Sequence, residues 1–381
     1  MRILMIARST LYTSPGGDTT QTEMTAKYLR LMGVEVHVAL AGEKINYSAY
    51  DLIHFFNIIR PDDILPHIKT SVPFVVSTIF ADFSEYDKKA RKGIPGLLFK
   101  YLSREQIEYL KVIARFLIKG DKIKSTSFFL KGQTNSIKRI ASQSKLLLPN
   151  SHSEYRRLCQ LIKFNPSYLK IVNAIDHNIF SSSVEENEQF KDFVICVGKI
   201  EGLKNQLNLI KAIIGTNIPL AIIGKPTLNQ VSYYEECKRL ASRASNIHFV
   251  EFVNHENLAS IYKAAKVHAL PSWAETTGLS SLEAAAMGCN LVITKKGDTE
   301  EYFEDMAFYC EPDDVESIRK AIINAYHAPR NCKNLQSVVL ERYTWKRTAL
   351  QTYDAYKQVL ENLPDKRSTA IKSTAESYLN F

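Results

Sequence analysis

The sequence predicts an α/β protein built from two doubly wound parallel sheets, one in each half of the chain. Three observations carry this expectation. Short apolar runs alternate with helical patterns throughout, each half opens with a strand that runs into a glycine-containing loop, and a polar stretch separates the halves. At 381 residues the chain is long enough for two full cores, and 45% hydrophobic content is ordinary for a globular protein.

In the first half, apolar runs predict strands at 3–7, 34–40, 52–56, 74–79, 145–149 and 169–172. After the first of these comes Ser14-Pro15-Gly16-Gly17-Asp18, then a helix expected over 19–32. The second half repeats the rhythm with strands at 193–197, 220–223, 247–252, 267–270, 291–294 and 307–310. The polar segment 181–188 reads as the linker between a domain at 1–180 and one at 190–343. A last helix within 344–363 is expected to cross back toward the first domain, and 364–381 is a polar tail. Ligands of such sheets bind beyond the carboxyl ends of the strands.

The most informative stretch is PSWAETTGLSSLEAAAMGC, with Glu275 before a strand-to-helix turn and Glu283 about one turn inside the helix. Thr276, Thr277, Gly278 and Leu279 form the start of that helix, where backbone amides lack intrahelical acceptors and the helix dipole is positive. Such an end suits a phosphate oxygen. Gly288 is placed to end the helix in a left-handed conformation. Two carboxylates could thus bracket a diphosphate while accepting hydrogen bonds from hydroxyls at either end of the ligand. Taken alone, the two glutamates fit a helix-dipole role as well as a ligand role.

Other stretches point the same way. In FVICVGKIEGLKNQLNLIKAI an apolar strand ends at Gly198, and Lys199 and Lys204 lie at the two ends of the following loop. On their own, lysines in such a loop commonly just face water. The Gly16-Gly17 pair lets backbone approach a ligand closely.

These segments together resemble retaining glycosyltransferases of the GT-B fold, specifically glycosyltransferase family four. Its pattern, roughly P-S-x-x-E-x-[FY]-G-L-x-x-x-E-A-x-A-x-G, is matched by PSWAETTGLSSLEAAAMG except that Thr277 replaces the aromatic. The family's G-R-x-x-x-x-K-[GN] resembles Gly198 to Asn205, with Lys199 in place of arginine, which keeps the charge but loses the bidentate fork. YLKIVNAIDHNIF is similar to I-x-N-G-V-D-x-x-x-F, with Ala174 for glycine, and the closing segments with Trp345 are similar too.

The resemblance implies two Rossmann-like domains facing across a cleft and transfer of a sugar from a UDP- or GDP-sugar donor to a hydroxyl acceptor. It implies that Glu275 contacts the donor sugar, Glu283 holds the ribose, and Lys204 and Lys199 neutralise the leaving diphosphate. Amides around Gly278 and Leu279, with the Gly16-Gly17 loop across the cleft, would face the phosphates. The base would lie near Gly224, Lys225, Phe252 and Val253, and Gly198 would also contact the donor. Many relatives carry a histidine after the strand corresponding to 74–79, and this chain has none. His54, Asn57 and Asp82 are the acceptor-side candidates, and His54 fits a satisfied cleft-edge residue equally well. No Asp-x-Asp is present, so neither a metal nor a cofactor is expected. A nucleotide-sugar epimerase of the same fold, or a degenerate nucleotide-sugar-binding scaffold, remains the alternative. The first strand lacks a G-x-G-x-x-G turn, which weighs against a dehydrogenase.

The net charge of +9 is uneven. Residues 88–145 hold fifteen Lys and Arg against three Asp and Glu. A helix there with one cationic side suits peripheral contact with an anionic membrane, as a lipid-linked acceptor would need, or a solvated helix docked by its apolar face. No nucleic-acid motif accompanies the patch. Six scattered cysteines make no Cys-x-x-Cys pair and, with no signal-peptide core and no apolar run of about 20 residues, predict a cytoplasmic protein. Assembly of a bacterial surface polysaccharide or lipid-linked glycan is the expected role.

Overall fold

The computed structural model describes residues 1–91, 96, 101, 102, 106, 107, 110, 126–181 and 183–362. The cationic helix expected near 98–117 and the polar tail lie outside the described residues.

Two parallel sheets organise the chain. The first has the order β2-β1-β3-β4-β5, from β1 (Arg2–Ala7), β2 (Glu35–Leu40), β3 (Leu52–Phe56), β4 (Phe74–Ser77) and β5 (Leu146–Leu148). The second runs β11-β10-β9-β6-β7-β8, from β6 (Val194–Val197), β7 (Leu220–Ile223), β8 (Ile247–Val250), β9 (Val267–Leu270), β10 (Asn290–Thr294) and β11 (Phe308–Cys310). Every pairing is parallel. The central strands are continuous apolar runs because helices cover both faces of a parallel sheet.

In the first domain these helices include α1 (Gly17–Leu31), α2 (Pro61–Ile64), α3 (Ser84–Lys89), α4 (Thr126–Gln143) and α5 (His152–Ile162). The second adds α6 (Gln206–Ile213), α7 (Val231–Ala241), α8 (His255–Ala264), α9 (Leu279–Ala286), α10 (Thr299–Phe303), α11 (Val315–His327) and α12 (Leu335–Arg342). The final helix, α13 (Trp345–Glu361), starts from a Thr344 cap that accepts from the Arg347 amide. Its Trp345, Ala349, Tyr356 and Val359 join Ile3, Met5, Ala26 and Leu29 in one cluster, so the last helix completes the core of the first domain.

Three expectations are corrected. Residues 169–172 form no strand; they run beside β5 through Leu169 N–H to Leu147 O and Ile171 N–H to Pro149 O. Pro149 has no amide to donate, so the ladder stops there. The strand expected at 74–79 ends at Ser77, and Ile79 takes a φ of +45°, which a β-branched residue in a strand cannot hold. The first helix begins at Gly17 rather than 19, with the Thr19 hydroxyl accepting from the Gly16 amide.

Candidate functional site

The loops at the carboxyl ends of both sheets meet in one cleft. On the second domain, β6 ends at Gly198, whose φ is +150°. The chain passes Lys199, makes a 3-10 turn at Gly202–Lys204 and enters α6 through Asn205. Side chains fix this loop from below. Asn205 donates to Pro271 O at 3.0 Å and Pro312 O at 2.7 Å, and Gln206 donates to Lys199 O at 2.9 Å. Gly224, after β7, must be glycine, because a Cβ there would stand 1.9 Å from Gly198 O. Lys225 is exposed with its ammonium 5.2 Å from the ring centre of Phe252, itself 69% exposed, while Val253 is half-buried. The predicted base region therefore forms one rim of the cleft.

The Glu275 turn is held against a second glycine. Glu275 N–H donates to Lys296 O at 3.0 Å, and a Cβ on Gly297 would lie 1.7 Å from Glu275 O. Helix α9 then starts from Gly278 at φ +74° without a side-chain cap. The amides of Thr276, Thr277, Gly278, Leu279 and Ser280 find no acceptor among the described residues, which leaves a cluster of donors at the positive end of the helix. Thr277 is fully buried, and its Oγ1 finds no partner among the described residues.

The two acidic residues have different environments. Lys204 Nζ donates to Glu275 Oε1, joining motifs that the sequence assigned to separate parts of a ligand. Burial opposes the Lys204 charge, but the Glu275 carboxylate outweighs it and the pKa is raised. Glu283 lies deeper, with the Tyr262 hydroxyl 3.5 Å and His255 Nδ1 3.8 Å from its oxygens. Burial pushes its pKa up to about 8. Lys199 is half-buried and forms no ion pair among the described residues, and burial lowers its pKa. The Glu201 and Asp18 carboxylates counter that shift from longer range, and its Nζ faces the Gly16 loop.

The first domain supplies the facing wall. Cβ positions built on Gly16 and Gly17 would lie 3.6 Å from Lys199 Nζ and 3.6 Å from Leu279 Cδ1, so the glycine loop abuts both motifs. Sequence reasoning missed the ion pair beneath it. Arg8 Nε and Nη2 donate to the Asp18 carboxylate at 2.6 and 2.9 Å. Burial works against the Asp18 charge, yet the Arg8 fork holds its pKa below the usual range. Asn57, at φ +74°, donates to Asp18 Oδ2 at 3.3 Å. Asp82 lines a pocket of about 180 Å³ together with Glu85, Arg157, Trp273, Glu275 and Lys296.

His54 does not reach this cleft. It is 1% exposed, Nδ1 pairs with the Tyr356 hydroxyl at 2.7 Å and Nε2 with Ser77 Oγ at 2.8 Å. Burial drives its pKa down to about 3. It sits mid-strand in β3, pointing into the core beneath α13, and its acceptor-side candidacy is withdrawn. The domains also meet along a seam absent from the sequence reading. Arg157 reaches Asp298 at 2.7 Å, and Glu301 accepts from the His152 and Ser153 amides at 2.9 and 3.0 Å. Asp298 N–H in turn donates to Glu275 O at 3.1 Å, so the seam ends at the site.

Residues 179–338 match the family model described as glycosyl transferases group 1. A D-inositol 3-phosphate glycosyltransferase from Catenulispora acidiphila is 23% identical over 273 residues, covering 64% of this chain and 64% of that protein. The match thus spans a little under two thirds of that relative's length. Sucrose-phosphate synthase from Thermosynechococcus elongatus shares the fold with a TM-score of 0.72 at 15% identity, over 95% of this chain and 100% of that one. Anabaena HepE in complex with UDP and glucose gives a TM-score of 0.67 at 16% identity, over 94% and 100% of the two chains. The architecture is the GT-B fold, and residues 179–338 are similar to the glycosyl transferases group 1 family. Among the described residues no helix is long and apolar enough to cross a membrane.

Proposed function

We propose that this chain is a retaining glycosyltransferase that moves a sugar from a nucleoside-diphosphate donor, UDP- or GDP-linked, to a hydroxyl of a glycan or lipid-linked acceptor. One observation carries the reading. Lys204 pairs with Glu275, the Thr276–Ser280 amides have no acceptor among the described residues, and Lys199 and Leu279 abut the Gly16-Gly17 loop of the other domain, with Glu283 one turn further into α9. The fold shared with a HepE complex holding UDP and glucose supports it.

In this mechanism the diphosphate lies on the α9 amides and between the two lysines. Glu283 accepts from the ribose hydroxyls, and Glu275, held by Lys204, orients the transferred sugar. The bond from the anomeric carbon to the phosphate oxygen breaks as the acceptor oxygen bonds the same face of that carbon. The acceptor proton passes to the departing phosphate oxygen. Each preorganised donor on the developing phosphate charge contributes about 3 kcal/mol to the transition state. Neither a metal nor a cofactor has a step in this scheme. The basic excess in residues 88–145 supports a lipid-linked acceptor at an anionic membrane face, in surface-glycan assembly, for a protein working in the cytoplasm.

Calorimetric titration with UDP, GDP, UDP-glucose and GDP-mannose tests the reading. At least one should bind, and Glu283→Ala should weaken it ~10-fold or more through loss of its hydrogen bonds to the ribose hydroxyls. Wild-type protein that binds none of the four, or a Glu283→Ala variant that binds as tightly as wild type, would contradict it.

A further inference from the structure

Helix α3 is a short N-domain element seated on the other domain's functional loops. Tyr86 is 9% exposed, and its hydroxyl lies so close to Gly202 that a Cβ there would be 2.3 Å away. Gly202 opens the turn that ends in Lys204. One residue earlier, Glu85 meets Lys296 Nζ at 3.1 Å. Lys296 accepts the Glu275 amide through its backbone oxygen. A third contact, Lys89 to Asp313 at 3.3 Å, closes the same face. The Tyr86 ring is itself braced, with the Arg91 guanidinium 5.4 Å from its centre and Arg91 held by Asp87 at 2.8 Å. Ser84 and Glu85 also line the pocket that contains Glu275 and Asp82.

Neither Tyr86 nor Glu85 belongs to the proposed donor contacts, yet each touches a loop that carries one. A rigid ring against the Lys204 turn and an ion pair on the Lys296 loop set two catalytic side chains from the opposite domain. We infer that α3 is an interdomain clasp, with Tyr86 and Glu85 as positioning residues for sugar transfer. The inference rests on the transferase reading above. The clasp places Lys204 and Glu275 in register while the N-domain is docked, so its loss costs turnover and leaves the nucleotide-binding surface intact. A displacement of about 1 Å in such groups can lower rates ~100-fold.

The contact at Gly202 gives a rescue experiment. In Gly202→Ala the added methyl collides with the Tyr86 hydroxyl; Tyr86→Phe removes that oxygen and leaves ring carbons at 3.2 and 3.3 Å, which can yield. The four proteins, wild type, each single variant and the double, are compared by nucleotide release from UDP-glucose or GDP-mannose, whichever the wild type binds. Gly202→Ala should lose ~10–100-fold in kcat with KM within about twofold, and the double variant should recover to within about threefold of wild type. Glu85→Gln, which leaves Gly202 untouched, should lose ~3–10-fold in kcat by the same route. A Gly202→Ala variant as active as wild type, or a double variant no better than the single, overturns the clasp while nucleotide binding still upholds the transferase reading. Wild-type protein that binds none of UDP, GDP, UDP-glucose and GDP-mannose removes both.

Discussion

The two halves of the molecule begin alike and end differently. Each sends a strand into a glycine-containing loop and on to a helix at the cleft. In the first half the charges of that loop neutralise one another, because Asp18 in the first turn of α1 is clamped by Arg8 at 2.6 Å. In the second half Lys199 makes no ion pair among the described residues, with Glu201 and Asp18 acting on it only from longer range, and the first amides of α9 have no acceptor among them. One architecture therefore yields a wall that is electrostatically closed and a wall that is open to an anion. The difference teaches where to look for a ligand in a pair of similar domains: at the strand ends whose donors the fold leaves unspent.

Substitutions can break this contrast, starting with the strongest. Lys204→Ala should lower kcat for nucleotide release from a bound sugar nucleotide ~100–1,000-fold, since it removes a preorganised donor to the leaving phosphate and frees Glu275. On the closed wall, Arg8→Ala should act on stability, because it leaves the Asp18 carboxylate buried without its fork. A loss on the order of 3 kcal/mol in urea unfolding is expected, with nucleotide affinity changed less than about threefold. A larger effect on affinity than on stability would erase the distinction between the two walls.

A smaller effect separates core from cleft. His54→Phe strands the buried hydroxyls of Tyr356 and Ser77, and should cost about 2 kcal/mol of stability while kcat per folded molecule stays the same. Glu283 adds a pH signature on the open wall. Its pKa is raised by burial from the ordinary carboxylate range to about 8. The folded protein then holds a proton that the unfolded chain has released, so stability falls as pH climbs from about 4.5 to 8 and levels off above. The local slope approaches ~1.4 kcal/mol per pH unit, and Glu283→Gln should flatten it in urea titrations across that window. The smallest effect is sought in Lys199→Arg, which restores a guanidinium fork and should tighten nucleoside diphosphate binding by no more than ~3-fold.

Much of this was legible before any coordinates, for a physical reason. Parallel strands bury both faces and so appear as apolar runs, and their carboxyl ends are where functional side chains gather. That is why the 267–270 and 220–223 strands are read to the residue, while Lys199, Lys204, Glu275 and Glu283 needed the family resemblance as well as their position to stand out. Contacts between distant segments were not legible. The Lys204–Glu275 pair depends on how distant loops of one domain fold together, and the Arg157–Asp298 seam and the Tyr86–Gly202 contact on how two domains dock, none of which spacing encodes. His54 was misread because alternation along an all-buried strand does not tell which face a side chain takes. Only the packing of α13 over that face shows it to be core.

Hydrogen–deuterium exchange with saturating UDP or GDP tests the central claim most directly. A nucleoside diphosphate seated between the lysine loop and the α9 amides should slow exchange in both 199–205 and 276–282 by about tenfold or more, with little change around His54. Protection confined to the first domain, or absent from both segments when a nucleotide is bound, would contradict the account.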